Sequence, residues 1–230
     1  MARQLAPAEV GDTPMVWPVA SHVVLGHGKV SDFVNDSVVT PDGGRMERQY
    51  TLHPGAVGVI AWDEADRVAV VRQYRHPVGF QLTEPPAGLL DAEGETWLAA
   101  VQRELAEEAG LSATRWQVLV DLFTTPGANQ ESLRIYLARG LSATNAPDGF
   151  VADHEEADME VCWATRADLV DAVLAGRLQN PTMVAGILAL EVARLSGRLD
   201  DLRGPDAAWP ARDVRDVANQ ALAALDGHAG

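Results

Sequence analysis

The stretch Pro85–Leu111, PPAGLLDAEGETWLAAVQRELAEEAGL, gathers five glutamates and one aspartate in 27 residues. Its second half alternates with a helical period. Thr96 precedes an apolar series of Leu98, Ala99, Val101, Leu105 and Ala109, and Gly110 follows as a stop. A helix over 96–110 puts Glu104 and Glu108 one turn apart on one face, with Cβ atoms about 5–6 Å apart. Glu107 flanks that face. Leu98, Val101 and Leu105 lie opposite, suited to packing on a sheet. Two readings stand at this point. The face is a solvated acidic surface, as charge runs usually are, with Arg103 relieving the repulsion. Alternatively, the carboxylates hold a hard divalent cation, which takes oxygen ligands. The Gly-rich loop before the helix supports the second reading. It can expose the Ala87 carbonyl beside the carboxylates, and Glu95 can pair with Arg103 to fix the loop.

Outward from that stretch, the 230 residues suit one domain with extensions. The composition, 47% hydrophobic and 22% charged, is that of a globular protein with a sizeable core. A net charge of −15 argues against a nucleic-acid surface, but not against a small phosphorylated substrate met by local arginines or metal ions. No run of eighteen apolar residues predicts a membrane span, and the N-terminus lacks an apolar signal core. The single cysteine, Cys162, fits a reducing cytoplasm and is expected in the core.

Residues 1–16 read as a loose arm and 17–54 as a β-rich region, with TPDGG (40–44) as a hairpin turn. AVGVIAW (56–62) and RVAVVRQYR (67–75) read as buried strands around the turn DEAD. WQVLVDLFTTPG (116–127) and ESLRIYLARGL (131–141) read as paired strands, and MEVCWAT as another. Helices are predicted near 166–175 and 181–196, and after Pro210. This order predicts an α/β layered fold with a mixed sheet, built as a central domain over 55–197 and a C-terminal extension over 198–230.

The series Gly88, Glu95, Arg103, Glu104, Leu105, Glu107, Glu108, Gly110 and Leu111 resembles the Nudix box, with six residues in place of five in its first gap. PGAV (54–57), RQYRHP (72–77), PPAGLLD (85–91) and Pro126, sixteen residues past Gly110, are similar to the ADP-ribose pyrophosphatase branch. Thr83-Glu84-Pro85-Pro86 departs from the Trp-Glu-Leu-Pro of many relatives. The resemblance implies an α/β/α sandwich that hydrolyses the pyrophosphate of ADP-ribose with Mg²⁺, or Mn²⁺ in its place. It implies Glu104, Glu108 and the Ala87 carbonyl as metal ligands, with Glu107 sharing a metal, and Gly88 and Leu89 beside the substrate. Glu156 is the implied base, with Glu155 the alternative, and Arg48 and Arg75 the implied substrate arginines. Glu131, after TTPGANQ, is a further substrate candidate, and Trp17 a candidate for stacking on adenine. The resemblance also implies a homodimer formed through the 17–54 region. His53, His76 and His154 have no zinc-ligand spacing and read as structural or surface residues. Two rivals are a Nudix hydrolase of a nucleotide sugar or dinucleotide, and a non-catalytic ADP-ribose sensor. The intact box speaks against the sensor.

Overall fold

The computed structural model describes residues 2–145 and 159–226. The chain forms two compact units, residues 53–207 and residues 1–52 with 208–230.

The larger unit is built on two sheets. One is mixed, in the order β7-β4-β9-β8: β4 is Ala56–Ala61, β7 Ala87–Leu89, β8 Leu111–Phe123 and β9 Ser132–Ala143. β4 runs parallel to β9, while β7 and β8 are antiparallel to their neighbours. The other is antiparallel, β10-β5-β6, with β5 Arg67–Arg75, β6 Phe80–Glu84 and β10 Glu160–Thr165. Continuous Val/Ile runs make β4 and β5 buried on both faces, as strands covered from two sides must be. The cover is helical. Ile60 meets Gly186 of α3 (Pro181–Leu195), whose absent Cβ would lie 2.8 Å from Ile60 Cδ1. Alternation along β4 therefore turns Val57 and Val59 to the opposite face. Val57 is registered with Gly88, and Gly88 lies against α1 (Trp97–Ala109). The mixed sheet thus lies between α1 and α3, giving the α/β/α sandwich. Ile60, Ile135, Leu137, Met183, Ile187 and Leu190 are fully or almost fully buried in one cluster on the α3 side. Burying a Leu or Ile side chain contributes about 1.5–3 kcal/mol before entropy is counted.

Local signals set the helix limits. The Thr96 side chain accepts from Ala99 N–H at 3.1 Å and caps α1. Gly110 ends it at φ 62°, a left-handed conformation that favours glycine. Thr165 caps α2 (Arg166–Leu174), and Asn180, followed by Pro181, caps α3.

In the smaller unit β1 (Val19–His27), β2 (Asp32–Val39) and β3 (Arg45–Leu52) form an antiparallel sheet, with the expected turn at Thr40–Gly44. α4 (Pro210–Asp226) contacts β1. Asp36, on β2, is buried and accepts from Tyr50 Oη at 2.8 Å, with His22 Nδ1 at 2.5 Å. Burial, reinforced by the Asp36 bond, pushes the Tyr50 phenol well above its ordinary value. Residues 2–16 are exposed, with one 3-10 turn at Pro7–Glu9. Among the described residues no helix is long and apolar enough to cross a membrane.

Two packing expectations need correction. Leu98 is only half-buried, and Ala100 joins Val101 and Leu105 on the inner face of α1. The inner face is centred one step further round the helix than the large side chains suggested. Cys162 is also only half-buried: it packs against the core cluster from β10, an edge strand among the described residues.

Candidate active site

The carboxylates are gathered where β7 runs beneath α1. Gly88 is the contact point. A Cβ at position 88 would lie 2.0 Å from both Cδ and Oε1 of Glu104, so the Glu104 carboxylate occupies the space a side chain would need. One residue earlier, the Ala87 amide donates to Glu108 Oε2 at 2.8 Å. The short strand is thereby tied to the carboxylate helix at two successive residues. β7 is held in turn by β4, through the Val57–Gly88 and Gly58–Ala87 register and by Val59 N–H donating to Pro86 O at 2.9 Å.

Arg103 organises the carboxylates. Its Nε and Nη2 donate to the two oxygens of Glu95, each at 3.0 Å. Its Nη1 donates to Glu104 Oε1 at 2.7 Å and Glu107 Oε2 at 2.9 Å. One planar guanidinium therefore holds three carboxylates, a geometry that a lysine ammonium cannot copy. The Glu95 bond, then the charge of Glu104, push the Arg103 pKa above its already high ordinary value. The expected Glu95–Arg103 brace is present, and the extra residue of the loop does not prevent it.

Among the described residues no group of three His, Cys, Asp or Glu side chains is arranged to hold a metal ion. The donor set still fits Mg²⁺ in kind. Glu104, Glu107 and Glu108 are hard oxygen donors on one helix, and Mg²⁺ commonly takes only one or two protein carboxylates beside water and substrate phosphate. Two of the three are met by Arg103 and the third by a backbone amide.

The other expected site residues divide. Arg75 sits at the end of β5 and donates from Nε and Nη2 to Glu84 on β6, at 2.9 and 2.7 Å. Glu84 is buried, so this bidentate pair fixes the Arg75 guanidinium rather than leaving it to swing. Glu84 is the residue that sequence reasoning missed; in the β5–β6 pairing Arg75 lies opposite Phe80 and Glu84 opposite Val71, so the Arg75 side chain reaches Glu84 along the hairpin, which no local spacing signals. Arg48 belongs to the smaller unit, on β3, with Nη2 3.0 Å from Met46 Sδ. Trp17 is in the same unit and partly exposed. Leu89 closes β7 opposite Ala56. Glu131 accepts from Thr124 Oγ1 at 2.6 Å, and His53 Nδ1 lies 3.7 Å from its other oxygen. His76 pairs with Tyr74 Oη at 3.2 Å. Glu155, Glu156 and His154 lie outside the described residues.

Residues 52–185 match the model of the NUDIX domain. An ADP-ribose pyrophosphatase of Mycobacterium tuberculosis is 44% identical over 170 residues, covering 74% of this chain and 81% of that protein. A methanol dehydrogenase activator of Bacillus methanolicus is 36% identical over 126 residues, covering 55% of this chain and 68% of that protein. The fold is shared with a solved structure described as an ADP compounds hydrolase, at TM-score 0.66 and 18% identity, over 82% of this chain and all of that one. With its box residues joined as the Gly88–Glu104 and Glu95–Arg103 contacts join them, the chain belongs to the Nudix family.

Proposed function

We propose that this protein hydrolyses the pyrophosphate of ADP-ribose, with Mg²⁺, to AMP and ribose 5-phosphate. The observation that carries the chemistry is the clamp of Arg103 on Glu95, Glu104 and Glu107, beside a Glu108 carboxylate fixed to Ala87. The choice of ADP-ribose is supported by the 44% identical relative of that name.

A pyrophosphate repels an attacking water through its own negative charge. Glu104 and Glu108, with the Ala87 carbonyl, would hold Mg²⁺, and Glu107 would share a metal. When bound, the metal screens the phosphates and lowers the pKa of a coordinated water. The chain's own part is positional. Arg103 keeps the carboxylates oriented before substrate arrives, so little reorganisation is left for the reaction. Arg75, held by Glu84, and Arg48 present guanidinia to phosphate oxygens, and Glu131, Gly88 and Leu89 border the substrate. Glu156 accepts the proton of the attacking water, with Glu155 as the alternative. The new P–O bond forms as the bridging P–O bond breaks, and attack at either phosphorus yields the same two products. A homodimer formed through residues 17–54, and a cytoplasmic location, complete the reading.

The test is a substrate panel with Mg²⁺ (ADP-ribose, a nucleotide sugar, NADH and a dinucleoside polyphosphate) with products resolved by chromatography. Preferential release of AMP and ribose 5-phosphate from ADP-ribose is expected. An inert ADP-ribose beside another fast substrate would overturn the substrate and leave the box chemistry standing.

A further inference from the structure

The larger unit carries a second charged cleft at the other end of β4. Val57 is registered with Gly88, whereas Trp62, just past the strand, lines a cavity of about 460 Å³ with Arg115, Arg139, Arg166 and Arg194. Trp62 is five positions past Val57, about 16 Å at the usual rise of a strand. The cleft is therefore distinct from the carboxylate site.

Its arginines are not equivalent. Arg166 donates to both oxygens of Asp66 at 2.9 Å and to Glu191 at 2.5 Å. Arg194 shares Glu191, at 2.9 and 3.0 Å. These two are neutralised. Arg115 and Arg139 are not. They are direct cross-strand partners on β8 and β9, so two cations of one sign face each other on adjacent strands, an arrangement that destabilises a sheet. Arg115 is exposed and meets no carboxylate among the described residues. Arg139 donates to the neutral Gln117 Oε1 at 2.6 Å, and its nearest carboxylate, Asp200, is 3.8 Å away and 98% exposed. The Arg139 Nε is buried with no acceptor among the described residues. A buried guanidinium N–H without an acceptor is costly, so the Nε adds to the cost of holding Arg139 beside Arg115. Two of the cleft's three carboxylates are committed to other partners: Asp63 serves Arg67, and Asp66 serves Arg166 and the Trp62 Nε1. Glu64 is exposed.

We propose that this cleft binds the dianionic phosphate group of a small ligand between Arg115 and Arg139, with Trp62 as the wall for any organic group the phosphate carries. A phosphate offers several oxygens, enough to bridge two guanidinia. The ligand is either free phosphate or a phosphate ester such as a nucleoside monophosphate.

The test is calorimetric titration of the full chain with inorganic phosphate and, separately, with AMP, at low salt and with EDTA present. The wild type and the Glu104→Gln/Glu108→Gln variant are expected to bind one equivalent with equal affinity. Arg115→Gln/Arg139→Gln is expected to bind roughly tenfold or more weakly. AMP binding tighter than phosphate identifies an ester as the ligand, and equal affinities identify free phosphate. Arg115→Gln alone removes an exposed, unpaired side chain and keeps the test valid if the double variant fails to fold. The inference is overturned by any of three results: no saturable binding of either probe, affinity unchanged in the arginine variants, or binding lost on substituting the box glutamates. The last would place the anion at the carboxylate site.

Discussion

The two ends of β4 are charged in opposite senses. At the Val57 end, one arginine, Arg103, stands among Glu95, Glu104 and Glu107, with Glu108 close by. At the Trp62 end, Arg115 and Arg139 face each other, and two of the cleft's three carboxylates, Asp63 and Asp66, are engaged elsewhere. The carboxylate end is not balanced by its own side chains, and the strand between is buried from Val57 to Ala61. A rigid apolar strand can hold like charges together because the core, not the charges, sets their positions. Each end is then suited to a mobile ion of the opposite sign: cations at one, a phosphate at the other.

The largest expected effect falls at the carboxylate end. Glu108→Gln keeps an oxygen to accept from the Ala87 amide but removes the charge. Turnover should fall about 10²–10³-fold, with the circular dichroism spectrum unchanged. Near-normal turnover would remove Glu108 from the site. Gly88→Ala should follow. Its Cβ has no room beside Glu104, so the carboxylate must move. A displacement of about 1 Å typically costs about 10²-fold in rate, and overpacking lowers stability by about 1–3 kcal/mol. An alanine variant with wild-type kinetics and melting would break the claim that Gly88 is the platform for Glu104.

Arg103→Lys should cost less, about 10–100-fold, because it leaves the carboxylates in place but loosens their orientation. Glu95→Gln should behave alike, and the double variant should cost less than the two singles combined. Additive losses would show that the two residues act separately.

The smallest effect concerns the guanidinium end. The Arg166 bond holds the Asp66 carboxyl below its ordinary value of 3.8, and the Arg194 bond, then the charge of Arg166, hold Glu191 below 4.5. A depressed carboxylate stabilises the fold above its unfolded pKa, and that contribution is lost as pH falls through the lower folded value. Melting temperature should therefore drop as pH falls below about 4, and Arg166→Met should flatten that drop. The effect is modest because the Asp66 side chain is 46% exposed. Parallel acid profiles for the two proteins would refute the assignment.

The carboxylate end was legible in the sequence because its parts are local. Thr96, the apolar spacing and Gly110 define α1, and the helical period alone aligns Glu104 with Glu108. The Glu95–Arg103 pair spans eight residues and was legible for the same reason. What the sequence could not give is register. Arg115 and Arg139 are 24 residues apart and meet only because β8 and β9 pair at that offset. Arg75 is paired with Phe80 and reaches Glu84, which is paired with Val71, along the β5–β6 hairpin. Leu98 and Cys162 were placed too deep because a helix face and a strand edge depend on what packs against them. The contact of α4 with β1, nearly two hundred residues earlier, is equally non-local.

The most direct test of the division between the two ends is the rate of AMP release from ADP-ribose with Mg²⁺, measured in parallel for the wild type, Glu104→Gln and Arg115→Gln/Arg139→Gln. The expected result is a loss of about 10³-fold for Glu104→Gln, with the arginine variant within roughly threefold of wild type in a phosphate-free buffer. Near-normal release by Glu104→Gln, or a collapse of release in the arginine variant alone, would contradict the assignment of the chemistry to the carboxylate end.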